Sequence, residues 1–243
     1  MNGKPSNFYL PEGYRCNPPV TLDYETADAY WTTERIALSE SYQHHVYLLA
    51  VKIAARNRCQ TALDVGCGPA TKTRALLNAG VTEIVLVDQP SSEKMVRTAI
   101  PDAAFIALDL EAAKPIAASH VPGGKFDLII CADVIEHLFD PTPCLKLVLY
   151  HLKPTGVAIF STPNRDILRG KHSMSSPNPA HVREWTNCEL RNLLVSMGFV
   201  IHQHSNLPPK KLGPVEDVIR KTFHRFICIP RWHACQVAVC GKK

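Results

Sequence analysis

The sequence predicts an α/β protein, a three-layer sandwich with a doubly wound, mostly parallel sheet between helices. Three observations carry this. From residue 60 onward, short apolar runs alternate with helix-patterned stretches. The first run, Gln60-Thr61-Ala62-Leu63-Asp64-Val65, breaks at once into Gly66-Cys67-Gly68-Pro69-Ala70-Thr71-Lys72, where two glycines admit positive φ and close backbone approach. Asp64, Asp88, Asp109 and Asp133 each fall at or just past a strand's carboxyl end, the rim at which open α/β sheets bind ligands.

Taken in order, residues 1 to about 32 are rich in proline, tyrosine and asparagine, and Pro11, Pro18 and Pro19 argue against helix there. They read as an arm packed on the domain or a lid, and residues 1–45 as a cap over the active site. From Thr33 to about Arg58 the pattern is helical, with Ile36, Leu38, Val46, Leu48, Leu49, Val51 and Ile53 on one face and Thr32 or Thr33 as cap. Strands are expected at 61–65, 83–88, 104–108, 126–131 and 156–161, and helices at about 71–79, 91–99, 141–152 and 186–197. The tail adds strands from Phe199 to His204 and from Ala234 to Cys240, with a helix from Val215 to Phe226 between them. The main domain is therefore 46–243, carrying an insertion at about 205–232.

At 46% hydrophobic residues, a 243-residue chain has ample core for one domain, which excludes a disordered reading. No window approaches 18 uninterrupted apolar residues, so no membrane span is expected. Met1 to Asn7 lack the apolar core of a signal peptide. Nine cysteines form no C-x-x-C pair, and Cys131 and Cys228 sit in apolar runs, as buried free thiols would. A cytoplasmic protein is expected. The net charge of +5 is mild and gathers near the C-terminus, at Lys210, Lys211, Arg220, Lys221, Arg225, Arg231, Lys242 and Lys243. It reads first as a solvated face and second as an attraction for acidic partners.

Asp64-Val65-Gly66-Cys67-Gly68 resembles the first motif of class I S-adenosylmethionine-dependent methyltransferases. Three further stretches match in order: Ile84 to Asp88, Phe105 to Leu110, and Phe126 to Leu138. The resemblance runs from roughly residue 45 to the C-terminus and implies a Rossmann-like sheet of seven strands whose last strand is antiparallel. The dinucleotide fingerprint would need a third glycine at position 71, which is threonine.

The resemblance also implies how the cofactor is held. Gly66 and Gly68 would let the backbone approach it, while Asp64 orders the loop or meets the amino group through water. Asp88, 24 positions after Asp64, would accept the ribose hydroxyls, with Gln89 beside the adenine. Asp109 and Leu110 would meet the adenine amino group and ring, and Ala132 and Asp133 the methionine moiety. The segment before the first strand often covers the cofactor in this family, which makes Tyr42, Gln43 and Tyr47 candidates as well.

Methyl transfer needs in-line placement and loss of water, and a hydroxyl acceptor also needs a base. His137 and His181 stand out as catalytic candidates, each in a loop at the expected rim. Ile135-Glu136-His137-Leu138 and His181-Val182-Arg183-Glu184-Trp185-Thr186 resemble O-methyltransferases of ubiquinone biosynthesis and of natural products. A second resemblance is to small-RNA 3′-terminal 2′-O-methyltransferases, which set acid-x-x-Glu-His and later histidines around a divalent metal. Asp133, Glu136, His137 and His181 are the corresponding metal candidates, with magnesium as one choice. The sequence has Asp where that family has Glu, and only one of its two later histidines.

The expected function is S-adenosylmethionine-dependent methyl transfer to an oxygen of a small-molecule acceptor such as a sugar or phenol. RNA 2′-O-methylation and a non-catalytic cofactor-binding module are the alternatives. A small-molecule acceptor is the expected partner, nucleic acid is second to it, and a homodimer stays open.

Overall fold

The computed structural model describes residues 7–18, 32–111, 124–224 and 230–243. Expectations for 1–6, 19–31 and 225–229, including Cys228 and the end of the helix expected to Phe226, lie outside the described residues. The seven-stranded sheet comprises β1 (Thr61–Val65), β2 (Glu83–Asp88), β3 (Ala104–Ala107), β4 (Phe126–Ala132), β5 (Leu152–Pro163), β6 (Phe199–Leu207) and β7 (Cys235–Lys242), in the order β3-β2-β1-β4-β5-β7-β6. The first five pair in parallel, and β7 runs antiparallel to both β5 and β6. The order reverses between β1 and β4, so their carboxyl ends diverge there and leave a crevice.

The strands are apolar on both faces because helices cover both. Leu63 and Val65 enter one core with Val85, Val87, Ile129, Cys131, Phe160 and Trp185. Ala62 faces the other way, into a core with Leu86, Leu128, Ile130 and Ile159. Strand alternation puts Asp64 on the same side as Ala62, against α2 (His44–Asn57), which buries Val46, Tyr47, Ala50 and Ala54. The same alternation explains why an acid can stand inside the apolar run of β1.

The remaining helices are α1 (Thr33–Ser41), α3 (Glu93–Ala99), α4 (Thr142–His151), α5 (Arg165–Arg169), α6 (Asn187–Ser196) and α7 (Pro214–His224). Thr186 and Glu189 form a capping box that starts α6, and Leu190, Leu193 and Leu194 bury its inner face. The single helix expected over 33–58 is two. Gln43 takes a left-handed conformation with φ 56°, its amide donates to the Pro209 carbonyl at 2.9 Å, and Tyr42 pairs with Lys210. A distant segment thus claims backbone groups that a continuous helix would use itself. The helix expected at 71–79 is a 3-10 helix over Thr73–Ala79, closed by left-handed Gly80. Cys59, Cys67, Cys131, Cys144, Cys235 and Cys240 are buried free thiols, whereas Cys16 and Cys188 are free and exposed. Among the described residues no helix is long and apolar enough to cross a membrane.

Candidate active site

The turn after β1 is built around a sealed carboxylate. Asp64 is 0% exposed. Tyr47 Oη donates to Asp64 Oδ2 at 2.9 Å and Oδ1 at 3.1 Å, and the Thr73 hydroxyl donates to Oδ2 as well. Burial raises its pKa to about 6, against the pull of those two donors. Of the two roles expected for Asp64, this geometry fits the loop-ordering one: the acid ties α2 to the chain just past the glycines. Gly66 has φ 72°, and a Cβ there would run into Val134. Gly68 has φ 55°, also left-handed.

Asp88 closes β2 and reaches across to that loop. Its Oδ2 accepts the Gly68 amide at 2.6 Å and its Oδ1 the Gln89 amide at 2.7 Å. Burial raises its pKa, and the amides oppose the rise. A carboxylate offers about four acceptor sites. With the Ser92 hydroxyl also bonded to it, a ribose diol fits only if Ser92 gives way. Half-buried Gln89 lies beside Asp88. Asp109 is exposed beyond β3 and its Oδ1 accepts the Glu111 amide at 2.9 Å, a turn-forming bond, while Leu110 packs on the core. Glu111 Oε1 accepts the Phe139 amide at 2.7 Å, which fastens this loop to the one after β4.

At the end of β4, buried Ala132 leads into Asp133, which is held at φ 53°. Positive φ costs about 1–3 kcal/mol at a non-glycine residue and persists only where the surroundings enforce it. Here the Asp133 amide donates to the Ser161 carbonyl at 2.9 Å, and the Ser161 hydroxyl donates to Asp133 Oδ1 at 2.7 Å. Lys72, not singled out in the sequence, is half-buried beside Tyr47 and donates to the Ser39 carbonyl. Burial lowers its pKa, and the carboxylates of Asp64, Asp133 and Glu40 pull the other way.

The two histidines expected at the rim do meet. Their rings stand edge to face with centroids 4.9 Å apart. His137 Nδ1 lies 2.7 Å from the Ala180 carbonyl, and since a carbonyl only accepts, Nδ1 carries the proton. His181 Nδ1 lies 2.8 Å from Glu184 Oε1 and donates likewise. In a neutral ring with Nδ1 protonated in this way, Nε2 carries the lone pair. The His137 side chain is exposed at the rim, yet the loops crowding the ring, and then the neighbouring His181, lower its pKa. Glu136 is 0% exposed, and its carboxyl has the Thr162 hydroxyl and its own backbone amide in reach, neither at good hydrogen-bond geometry. Burial, then Asp133, raises the Glu136 pKa well above the usual carboxylate range. One donor atom each from Glu136, His137 and His181 lie within 4.8 Å of one another, and Asp133 is not part of that group.

Glu184 is the group that sequence reading missed. It takes bonds from His181, from Arg169 at 2.9 and 3.0 Å, and from the Ser176 hydroxyl at 2.8 Å. Burial works against its charge, but these donors outweigh it and hold its pKa at about 2. The N-terminal arm finishes the brace: Asn17 Nδ2 donates to the carbonyls of Ser176, Asn178 and His181, and Tyr14 Oη accepts the Glu184 amide. The His181-x-x-Glu184 spacing was the only signal in the sequence.

Residues 39–204 match a family model described as a methyltransferase domain. A ubiquinone biosynthesis O-methyltransferase of Caulobacter vibrioides is 33% identical over 110 residues, 44% of this chain and 42% of that protein. A Mycobacterium tuberculosis protein named a probable S-adenosylmethionine-dependent methyltransferase is 28% identical over 190 residues, 76% of this chain and 66% of the relative. The chain thus spans less than two thirds of these relatives. The N-methyltransferase NodS from Bradyrhizobium japonicum, in complex with S-adenosyl-l-homocysteine, superposes with a TM-score of 0.63 at 13% identity, over 90% of this chain and 97% of that one. A Burkholderia thailandensis 1,6-didemethyltoxoflavin-N1-methyltransferase gives 0.60 at 15% identity, over 93% and 95%. Likenesses at such identity establish the fold alone.

Proposed function

The chain belongs to the class I S-adenosylmethionine-dependent methyltransferases, and from that premise we propose that it methylates an oxygen of a small-molecule acceptor such as a sugar, a phenol or another metabolite hydroxyl. The observation that carries this is the His137–His181 pair, each with Nδ1 committed and the lone pair on Nε2, at the rim past β4 and β5. A hydroxyl acceptor must lose a proton as its oxygen attacks the methyl group, and a neutral imidazole Nε2 takes it at pH 7. Glu184 keeps His181 in the tautomer that can do so. The relatives named for ubiquinone biosynthesis are O-methyltransferases, which supports oxygen over nitrogen, and the cytoplasm is the expected compartment.

The cofactor would bind at the glycine turn, with Ser92 giving way to its ribose. S-adenosylmethionine supplies the electrophilic methyl group; the chain supplies Gly66 and Gly68 for backbone approach, Asp88 and Gln89 for the ribose and adenine side, and Asp109 with Leu110 at the adenine edge. Ala132 and Asp133 would hold the methionine end, and Asp64 holds the loop in shape.

One observation favours a second, metal-assisted reading, in which the same acceptor is activated by a divalent ion. A buried, weakly bonded carboxyl at Glu136 beside two imidazole rings fits such an ion, and the imidazoles suit zinc better than magnesium. Bound there, an ion would lower the acceptor's pKa, with His137, His181 and Glu136 holding it.

The test is a tritiated-methyl transfer assay against a panel of sugars, phenols and catechols. His137→Ala and His181→Ala should each lower turnover about 100- to 10,000-fold, the span usual for general bases, with cofactor affinity unchanged. Transfer only to amines, or undiminished transfer in both variants, would overturn the reading. Loss of turnover on chelation, restored by added zinc, would select the metal-assisted form.

A further inference from the structure

The insertion between β6 and β7 presents an apolar face that nothing among the described residues covers. No described side chain of α7 is buried, and Val215, Val218 and Ile219, which share one helical face, are 71%, 62% and 41% exposed. Lys210 and Lys211, both exposed, sit just before the helix. The Lys211 amide donates to the Ser41 carbonyl and Lys210 pairs with Tyr42, so the base of the insertion is fixed against the end of α1. Leu38 and Tyr42 at that end are exposed as well. Between 205 and 232 the sequence holds six basic residues, Lys210, Lys211, Arg220, Lys221, Arg225 and Arg231, against two acidic ones, Glu216 and Asp217.

We propose that this surface docks the protein on an anionic lipid bilayer, with the aliphatic residues of α7 entering the headgroup boundary and Lys210 and Lys211 meeting lipid phosphates. A helix with one aliphatic face and a basic setting is the usual form of an interfacial anchor. A second copy of the chain is a poor occupant, because a two-fold interface would bring the same basic patches together. Nucleic acid matches the charge, but three branched aliphatic side chains offer bases no ring to stack on. Position adds a reason. Lys211 also lines a cavity of about 330 Å³ that extends along Tyr47 to Thr71 and Lys72 beside the glycine turn. A docked protein would therefore hold an entrance to its cofactor loop at the lipid surface.

The experiment is flotation of the full chain with vesicles of phosphatidylglycerol and phosphatidylcholine, and with phosphatidylcholine alone, at low and high salt. Binding to the anionic vesicles that falls at least tenfold in Val218→Asp, in Lys210→Glu/Lys211→Glu and at high salt is the expected result. Because Val218 is 62% exposed, Val218→Asp should leave the melting temperature within about 2 °C, so a folding defect is separable. Absence of binding to anionic vesicles, or binding indifferent to Val218→Asp, overturns the proposal. So does a wild-type dimer that Val218→Asp makes monomeric, or a single-stranded RNA oligonucleotide that binds while the anionic vesicles do not.

Discussion

Tyr47→Phe tests the sealed carboxylate at the root of the cofactor turn. The substitution keeps a ring at a position only 5% exposed and removes one hydroxyl, the donor shared between Asp64 Oδ1 and Oδ2. A hydrogen bond to a charged group contributes about 1.5–3 kcal/mol, against about 0.5–1.5 kcal/mol for a neutral pair. In a protein of this length about 2 kcal/mol corresponds to a melting temperature lower by about 4–8 °C. The loss should depend on pH. Asp64 has a folded pKa of about 6, raised from 3.8, so its ionisation weakens the fold as pH rises through that interval. Removing a donor to the carboxylate pushes the folded pKa higher still, and the penalty opens as pH rises through 6. Melting curves of wild type and Tyr47→Phe from pH 5 to pH 8 should therefore diverge, with the small loss at pH 5 and the full loss at pH 8. A pH-independent loss would refute the argument, because the hydroxyl would then contribute nothing specific to the charge.

Gly66→Ala should destabilise the fold by at least about 1–3 kcal/mol, since it places a Cβ at φ 72° and into Val134; chemical denaturation reads the loss directly. Glu184→Gln should flatten acid unfolding. The carboxylate's stabilising effect is present above its ordinary value of 4.5 and is lost as pH falls through about 2, so wild type should weaken over that window and the variant should not. Ser161→Ala removes the hydroxyl that bonds the strained Asp133 and should cost about 1–3 kcal/mol, measured by urea unfolding.

Much of the sheet was legible because its causes are local. The apolar runs at 61–65, 83–88 and 126–131 became strands at nearly those bounds, since central strands covered on both faces demand continuous apolar sequence. Gly66 was legible as the turn; Asp88 was expected to accept ribose hydroxyls, and its bonds to the Gly68 and Gln89 amides were not. What could not be read depends on contacts between distant segments. The break at Gln43 answers to Pro209, and Glu184 is braced by Tyr14 from 170 positions away. Asn17 holds the His181 loop across 164 positions, and no periodicity near Asn17 announces it. The pairing of His137 with His181 was placed in the right region from the ends of two strands, but which ring nitrogens carry the lone pairs follows only from which carbonyl and carboxylate stand behind the rings.

The most direct measurement is calorimetric titration of the full chain with S-adenosylmethionine and S-adenosylhomocysteine, wild type against Asp88→Ala. Micromolar binding of both to wild type is expected. In the variant, affinity should fall about 100-fold or more, while a single cooperative melting transition, lowered by the loss of the acceptor for the Gly68 and Gln89 amides, shows that the chain still folds. No heat of binding to the wild-type protein, or equal affinity in Asp88→Ala, would contradict the assignment of this rim as the cofactor site.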